Sequence, residues 1–269
     1  MPELPEVETI KNAVAPLIVG QDIVRVNIFN PNLRWQVDKK KLQSLSSEKI
    51  LSIQRKAKYI VIYFEKGHII IHLGMSGNLH FQKNDFTPLR HDHAQFKFKK
   101  YSIFYNDPRR FGSIHFAKDL DSFFLFKNIG LEPLSDLFDD SALFKMTRNR
   151  KTSIKQLIMN GSLIVGVGNI YASESLFRAK IRPSKPAKNI TKKECVYLVS
   201  AIKQVLKDAI KFGGSSIRDF KQLDGSSGYF KIKHNVYGRE GEKCYQCDTK
   251  IKKIIISGRS TFYCSKCQS

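Results

Sequence analysis

LEPLSDLFDD, residues 131–140, separates two halves of the chain whose apolar residues follow different periods. Upstream, segments 23–29, 50–54, 59–64, 68–73, 77–81, 94–98, 101–105 and 113–116 are short, rich in Ile, Val, Tyr and Phe, and punctuated by Gly, Asn, Asp or Pro. Runs of that length, repeatedly broken by turn residues, predict an antiparallel sandwich or barrel. Ahead of them Leu4, Val7, Ile10, Val14 and Leu17 recur three and four apart, on one face of a helix over 3–19. Downstream the period is helical again. Ile154, Leu157 and Ile158 predict one short helix, and Ile170, Leu176 and Phe177 a second that stops before Pro183. Thr191-x-x-Glu194 is a capping box opening a long amphipathic helix through Leu198, Ile202, Val205, Leu206 and Ala209, ended by Gly213-Gly214. Residues 215–235, rich in Ser, Gly, Asp and Lys, read as a mobile loop. Strands followed by helices make the class α+β.

The 269 residues carry 46 Lys and Arg against 24 Asp and Glu, a formal charge of +22. With 42% hydrophobic and 11% aromatic residues the chain can bury real cores, which excludes a disordered basic tail. No apolar run approaches the roughly 18–20 residues of a membrane span. The start, MPELPEVE, lacks the charged-then-apolar order of a secretion signal, so a cytoplasmic protein is expected. Such a charge costs self-repulsion in a compact state, and points to a polyanionic partner, nucleic acid first and an anionic membrane surface second. A merely basic protein is the plainer alternative.

Cys244-x-x-Cys247 and Cys264-x-x-Cys267, with sixteen residues between the pairs, have the spacing of a four-thiolate zinc site. Each pair offers two thiolates to one ion, and a β-hairpin between the pairs closes the tetrahedron. Two disulfides are the rival, disfavoured in a reducing compartment. Four thiolates leave no open coordination position, so the zinc is structural. A terminal unit this small cannot build a core unaided, and the metal supplies its folding energy. Cys195, inside the amphipathic helix, reads as a core residue. Within the hairpin, Gly258 marks a turn that exposes Arg259, either one surface cation among many or a grip for a phosphate.

Several other motifs admit two readings. Asp107-Pro108-Arg109-Arg110-Phe111-Gly112 is either an ordinary turn with Phe111 packed inward or an aromatic wedge between guanidinium groups, the device by which some proteins unstack a duplex. Met75, between Gly74 and Gly77, is likewise a wedge or a hairpin tip. His91 and His93 would share a strand face, but no third metal ligand is evident. Gly166-Val167-Gly168-Asn169 lacks the third Gly and the βαβ surroundings of a dinucleotide fingerprint. It reads better as a helix N-terminus, with Asn169 as cap and backbone N–H groups turned to a phosphate.

The N-terminus is the least ordinary feature. Removal of Met1 ahead of the small Pro2 would leave a proline amine. An α-amino group titrates near about 7.7–8.0, so part of it is neutral at physiological pH. A secondary amine attacking a carbonyl-like carbon yields an iminium ion that is cationic without any proton. Glu3 and Glu6 stand beside it as candidate acids or bases. The alternative is simply a Pro at the start of a capped helix.

Taken together, these motifs resemble the bacterial formamidopyrimidine-DNA glycosylases. The matching stretches run the whole length of the chain: PELPEVET at 2–9, RKAKY at 55–59, IIIHLGMSG at 69–77, HDH at 91–93, DPRRFG at 107–112, VGVGNIYASESLF at 165–177, GYF at 228–230, VYGREGEKC at 236–244 and TFYCSKCQ at 261–268. The sister group of oxidised-pyrimidine glycosylases, endonuclease VIII, usually begins PEGPE, so Leu4 favours the purine branch.

The resemblance implies a catalytic N-terminal β-sandwich domain over 1–133 with flanking helices, a helical helix–two-turn–helix domain over 134–235, and a zinc finger over 236–269. It implies removal of 8-oxoguanine and formamidopyrimidines from duplex DNA, followed by β,δ-elimination at the abasic site. Pro2 corresponds to the nucleophile that attacks the sugar C1′, Glu3 to the acid at the deoxyribose ring oxygen, and Lys58 to the lysine linked to elimination. Met75, Arg109 and Phe111 correspond to the trio that fills the gap left by the everted nucleotide. His91, Arg109, Arg150 and Asn169 match DNA-contact positions, and Arg259 the hairpin arginine tied to the second elimination. At 150 relatives also carry Lys; Arg keeps the charge but changes the hydrogen-bonding geometry. Loop 215–230 corresponds to the segment that closes over the lesion. The resemblance also implies a monomer working on DNA, with no membrane partner.

Two rivals stay open on sequence alone: an endonuclease VIII-like pyrimidine glycosylase, and a zinc-ribbon protein that binds DNA without catalysis. The latter explains the charge and the cysteines but not PELPE together with Lys58. The cysteine spacing predicts one zinc per chain. Elemental analysis of freshly purified protein should find it, and disulfides in the intact mass would refute it.

Overall fold

The apolar face at the start of the chain is helix α1 (Leu4–Ile18), which buries Leu4, Val7, Ile10, Val14 and Ile18. Ile18 rather than Leu17 completes the buried stripe, because four residues after Val14 returns to the same face. In this computed structural model residues 2–83, 86–213 and 233–269 are described. They fall into two compact units, one made of residues up to Lys127, the other of Asn128–Phe212 with the segment from 233 onward. The region 215–230 lies outside the described residues.

All eight expected strands of the first unit form: β1 (Arg25–Ile28), β2 (Ser52–Lys56), β3 (Tyr59–Phe64), β4 (Gly67–His72), β5 (Asn78–Lys83), β6 (Asp92–Lys97), β7 (Tyr101–Asn106) and β8 (Ser113–Ala117). They make two antiparallel sheets, ordered β1-β6-β7-β5 and β2-β3-β4-β8. Inward residues of both sheets share one core with α1: Val26, Phe96 and Ile103 from one, Ile60, Ile69, Ile71 and Ile114 from the other. This is the expected sandwich. A short helix, α2 (Lys39–Gln43), is unannounced by periodicity because its single turn buries only Leu42.

The N-terminus of α1 is fixed by reciprocal hydrogen bonds. The Glu3 side chain accepts from the Glu6 backbone N–H, and the Glu3 N–H donates to Glu6 Oε2 at 2.9 Å. That is a capping box with Glu in the role usually taken by Ser or Thr. Further along the helix Glu8 accepts from Arg55 Nε at 2.7 Å, and Arg55 Nη1 donates to the Ala57 carbonyl at 2.9 Å. Burial alone would raise the Glu8 carboxyl, but Lys11 and Arg55 outweigh it and hold the group below its ordinary range. Arg55 thereby braces the tight β2–β3 turn, in which Ala57 takes a left-handed conformation (φ 55°), against α1.

In the second unit α3 (Asp140–Thr147), capped by Asp139, begins inside the boundary stretch itself. Next come α4 (Ile154–Ile158), α5 (Asn169–Arg178) and α6 (Lys192–Lys211), the last opened by the Thr191–Glu194 capping box. Between α4 and α5 the chain makes two turns, at 160–163 and 165–168, the second with Gly166 at φ 80°. The C-terminal hairpin pairs β9 (Lys252–Ile256) with β10 (Arg259–Tyr263).

The outer face of the second sheet carries two unusual histidines. His72 has its pKa lowered to about 4 by burial, reinforced by the positive charges of Lys58 and Arg34. Burial alone brings His115 to about 4 among Trp35, Phe123 and Phe124. Both rings are neutral in the folded protein down to that pH, whereas in the unfolded chain they take up protons near about 6.5. Their contribution to stability is therefore complete above pH 6.5 and is lost as the pH falls toward 4. Thermal unfolding between pH 7.5 and 4.5 should show this decline. His115→Phe, which keeps the ring contacts, should flatten it; an undiminished decline would place the titration elsewhere.

A candidate nucleic-acid interface and catalytic terminus

In the first unit Pro2 is half-buried and directly precedes Glu3, the N-cap of α1. Glu3 and Glu6 are only 2% and 1% exposed. Lys58 occupies the β2–β3 turn that Arg55 braces, and is half-buried. Pro2 and Glu3 thus lead into the helix that, through Glu8 and Arg55, fixes the backbone bearing Lys58.

A second group lies where the β4–β5 and β7–β8 connections meet. Met75 is 42% exposed and Phe111 is 46% exposed, so Phe111 does not pack inward. The Arg109 guanidinium stacks on the Phe111 ring, 4.7 Å from its centroid. The two backbones touch: a Cβ on Gly74 would lie 2.4 Å from the Gly112 nitrogen, which only glycine at φ 61° tolerates. His91 is half-buried, and its carbonyl accepts from the Asp107 N–H at 3.0 Å. His93 is buried with Nε2 2.8 Å from the Asp107 carbonyl, so the two histidines do not act as a metal-binding pair.

In the second unit the expected capping role of Asn169 is corrected. Gly168 is the N-cap of α5, and Asn169 is the first helical residue. Its side chain is used across the fold instead: Oδ1 accepts from Lys155 Nζ at 2.6 Å, and Nδ2 donates to the Ser260 carbonyl at 3.0 Å. Lys155, fully buried, also donates to Thr261 Oγ1 at 2.8 Å. Sequence reading passed over Lys155, since a lysine among apolar residues of a short helix looks like a solvent-facing side chain. Next to this network a cavity of about 300 Å³ is lined by Arg150, Lys155, Asn160 and Arg259 among others. Arg150 and Arg259 are exposed at its edge. Glu174, also unanticipated, is buried and accepts at 2.8–2.9 Å from the backbone N–H groups of Asn235, Val236 and Tyr237, fixing the approach to the zinc-finger segment.

The sulfurs of Cys244, Cys247, Cys264 and Cys267 lie within 4.8 Å of one another, the one such ligand cluster among the described residues. Separations of 3.4 Å for Cys247–Cys264 and 4.0 Å for Cys244–Cys267 far exceed a disulfide bond. They bracket the roughly 3.8 Å edge of a tetrahedron with Zn–S bonds of about 2.3 Å. The Gln246 N–H points at Cys244 Sγ at 3.4 Å, as suits a thiolate. The donor set fits one structural zinc. Gln268 anchors the second knuckle, accepting from the Cys264 N–H and donating to the Ile181 carbonyl, each at 2.9 Å.

An antiparallel sandwich with a capped Pro-Glu terminus, a helix–two-turn–helix unit and a four-thiolate hairpin define a DNA-glycosylase class of protein. Family models match in the same order: the formamidopyrimidine-DNA glycosylase N-terminal domain over residues 1–114, its H2TH domain over 129–221, and the zinc finger found in FPG and IleRS over 241–269. A formamidopyrimidine-DNA glycosylase of Ruthia magnifica is 46% identical over 270 residues, covering 100% of both chains. The structure is similar to wild-type Lactococcus lactis Fpg bound to DNA containing N7-benzyl-Fapy-dG, with TM-score 0.90, 34% identity and 100% of each chain covered. It is equally similar to the L. lactis Fpg complex with abasic-site DNA, with TM-score 0.90 over 99% of each chain. The chain belongs to the formamidopyrimidine-DNA glycosylase family.

Because β10 holds Asn169 as well as presenting Arg259, zinc removal should disturb both. Chelation, or Cys244→Ser, should therefore weaken DNA binding more than Arg259→Ala, and flatten its salt dependence by more than the roughly one unit expected for a single phosphate contact. Titrations at several salt concentrations check this.

Proposed function

We propose that the protein is a bifunctional glycosylase of base-excision repair. It removes oxidised purines, 8-oxoguanine and formamidopyrimidines, from duplex DNA and then cuts the abasic strand. The observation that carries this reading is the half-buried Pro2 set directly before the buried Glu3–Glu6 cap, on the helix that also braces the Lys58 turn.

A damaged base is out of reach inside the stack, so it must be everted and the lost stacking replaced. Met75 and Phe111 are the exposed apolar groups for that task, and Arg109, stacked on Phe111, faces the orphaned partner base. His91, Arg150, Asn169 and Arg259 hold phosphates, giving the sequence-independent affinity that a search of the genome requires. With Met1 removed, the Pro2 nitrogen attacks C1′ and the glycosidic bond breaks, its electron pair leaving with the base. Glu3 supplies a proton at the deoxyribose ring oxygen, the ring opens, and an iminium remains on Pro2. That cation acidifies the C2′ hydrogens, so loss of one expels the 3′ phosphate. A second elimination, aided by Lys58 and Arg259, expels the 5′ phosphate. Cys244, Cys247, Cys264 and Cys267 would hold a structural zinc, ordering the hairpin that bears Arg259.

The working division is a catalytic domain over 1–133, a helix–two-turn–helix domain over 134–235 and a zinc finger over 236–269. No helix among the described residues is long and apolar enough to cross a membrane. In this role the protein works as a monomer at the bacterial nucleoid.

Borohydride should trap the protein on DNA containing 8-oxoguanine, with the adduct on the N-terminal peptide after digestion. One residue retained ahead of Pro2 should abolish base excision, since the nitrogen becomes a non-nucleophilic amide. Lys58→Ala should still be trapped on a pre-formed abasic site. An adduct on Lys58, or full activity from a blocked N-terminus, would overturn the Pro2 mechanism.

A further inference from the structure

Asp107 opens the turn that carries Arg109 and Phe111, yet its own side chain is completely buried. Two of its side-chain contacts reach the backbone and side chains next to Met75 and Phe111, and a third comes from the buried Tyr105 hydroxyl. Oδ1 accepts from Ser76 Oγ at 2.6 Å, and Ser76 follows Met75 in the neighbouring loop. Oδ2 accepts from the Gly112 N–H at 2.8 Å, at the far side of Phe111, and from the Tyr105 hydroxyl at 3.3 Å. Burial, and then the Asp107 charge, push the Tyr105 hydroxyl well above its usual range, so it remains a donor. Ser76 has one proton, given to Asp107, and its oxygen accepts in turn from the Arg109 N–H at 3.2 Å. A closed path thus runs from the Arg109 backbone through Ser76 and Asp107 to Gly112. The Asp107 backbone extends it, with its N–H on the His91 carbonyl and its own carbonyl on the His93 ring.

We propose that Asp107, acting through the Ser76 hydroxyl, is the positioning residue that locks Met75, Arg109 and Phe111 into one rigid probe and thereby sets the rate of nucleotide eversion. This rests on the assignment of those three side chains to the duplex. The carboxyl group touches neither substrate nor reacting atom. Its part is to prevent the Met75 loop and the Arg109–Phe111 turn from moving independently when the stack pushes back. A wedge whose base yields transmits less force to the base pair it must open. Close approach of Gly74 to Gly112 leaves no room for another side chain to take over the joint.

The test is Ser76→Ala, with Ser76→Thr as the conservative rescue, each alone and in a Phe111→Ala background. Stopped-flow fluorescence of a base analogue beside 8-oxoguanine reads eversion. Single-turnover excision and cleavage of a pre-formed abasic duplex are followed in parallel, and melting temperature reports the fold. Ser76→Ala should slow eversion and excision by about tenfold, the scale of one buried hydrogen bond lost with its partners left unpaired. It should change abasic cleavage much less, because no base has to leave the stack there. Ser76→Thr should recover the rate, and Ser76→Ala should add little to Phe111→Ala, since a loosened joint no longer matters once the wedge is gone. Wild-type eversion in a folded Ser76→Ala protein would overturn the proposal, as would full additivity with Phe111→Ala or equal losses on both substrates. If Phe111→Ala itself left eversion unchanged, the wedge assignment would fail first and take the proposal with it.

Discussion

The second unit depends on four thiolates gathered at one point. Strands β9 and β10 are too short, and β9 too exposed, to bury a core of their own, and a two-stranded ribbon in water is marginal. Its order comes from the cysteine knuckles, from Glu174, which ties the segment to α5, and from Gln268, which ties it to the Ile181 carbonyl just beyond that helix. Once β10 is fixed, Ser260 and Thr261 become fixed acceptors for Asn169 and Lys155. The same strand begins with Arg259 at the edge of the cationic cavity. One cavity is thereby lined from both ends of the unit, by Arg150 and Lys155 near its start and Arg259 near its end.

The first unit meets a related constraint without a metal. The groups assigned to catalysis and to the duplex in the proposed function sit on turns and at a helix end, where the backbone has few hydrogen bonds of its own. Each is steadied by a buried or half-buried carboxylate: Glu6 closes the cap that follows Pro2, Glu8 anchors Arg55 beneath the Lys58 turn, and Asp107 joins the Met75 loop to the Arg109–Phe111 turn. Burying a carboxyl group is costly unless its oxygens are satisfied, so each of these holds its neighbours to a narrow geometry. The exposed apolar side chains gain rigidity from residues that never reach the surface.

Much of this architecture was legible beforehand. Short runs rich in Ile, Val, Tyr and Phe, broken by turn residues, marked all eight strands because β-branched and aromatic residues suit a pleated, half-buried surface, and the capping box marked the start of α6. The cysteine spacing announced the hairpin for a stereochemical reason, since two-residue gaps place both sulfurs of a pair on one ion. Helices α2 and α3 were missed, the first too short for periodicity and the second hidden in a stretch read as a boundary. The N-cap of α5 was misplaced by one residue: Asn favours caps in general, but here its amide has stronger partners in Lys155 and Ser260, and Gly168 takes the extended conformation that a cap needs.

The α+β class, the order of the elements, the four cysteine ligands and the unusual Pro2-Glu3 start were readable from the chain alone, because each is written in residue types and their spacing. The sequence left open whether Phe111 faces inward or outward, and it gave no sign of Lys155, Glu174 or the Asp107–Ser76 link. Those were decided by tertiary structure. A side chain's direction and its hydrogen-bond partners depend on which distant backbone passes beside it, as Gly74 passes Gly112 and Ser260 passes Asn169. Spacing along the chain carries no record of such encounters.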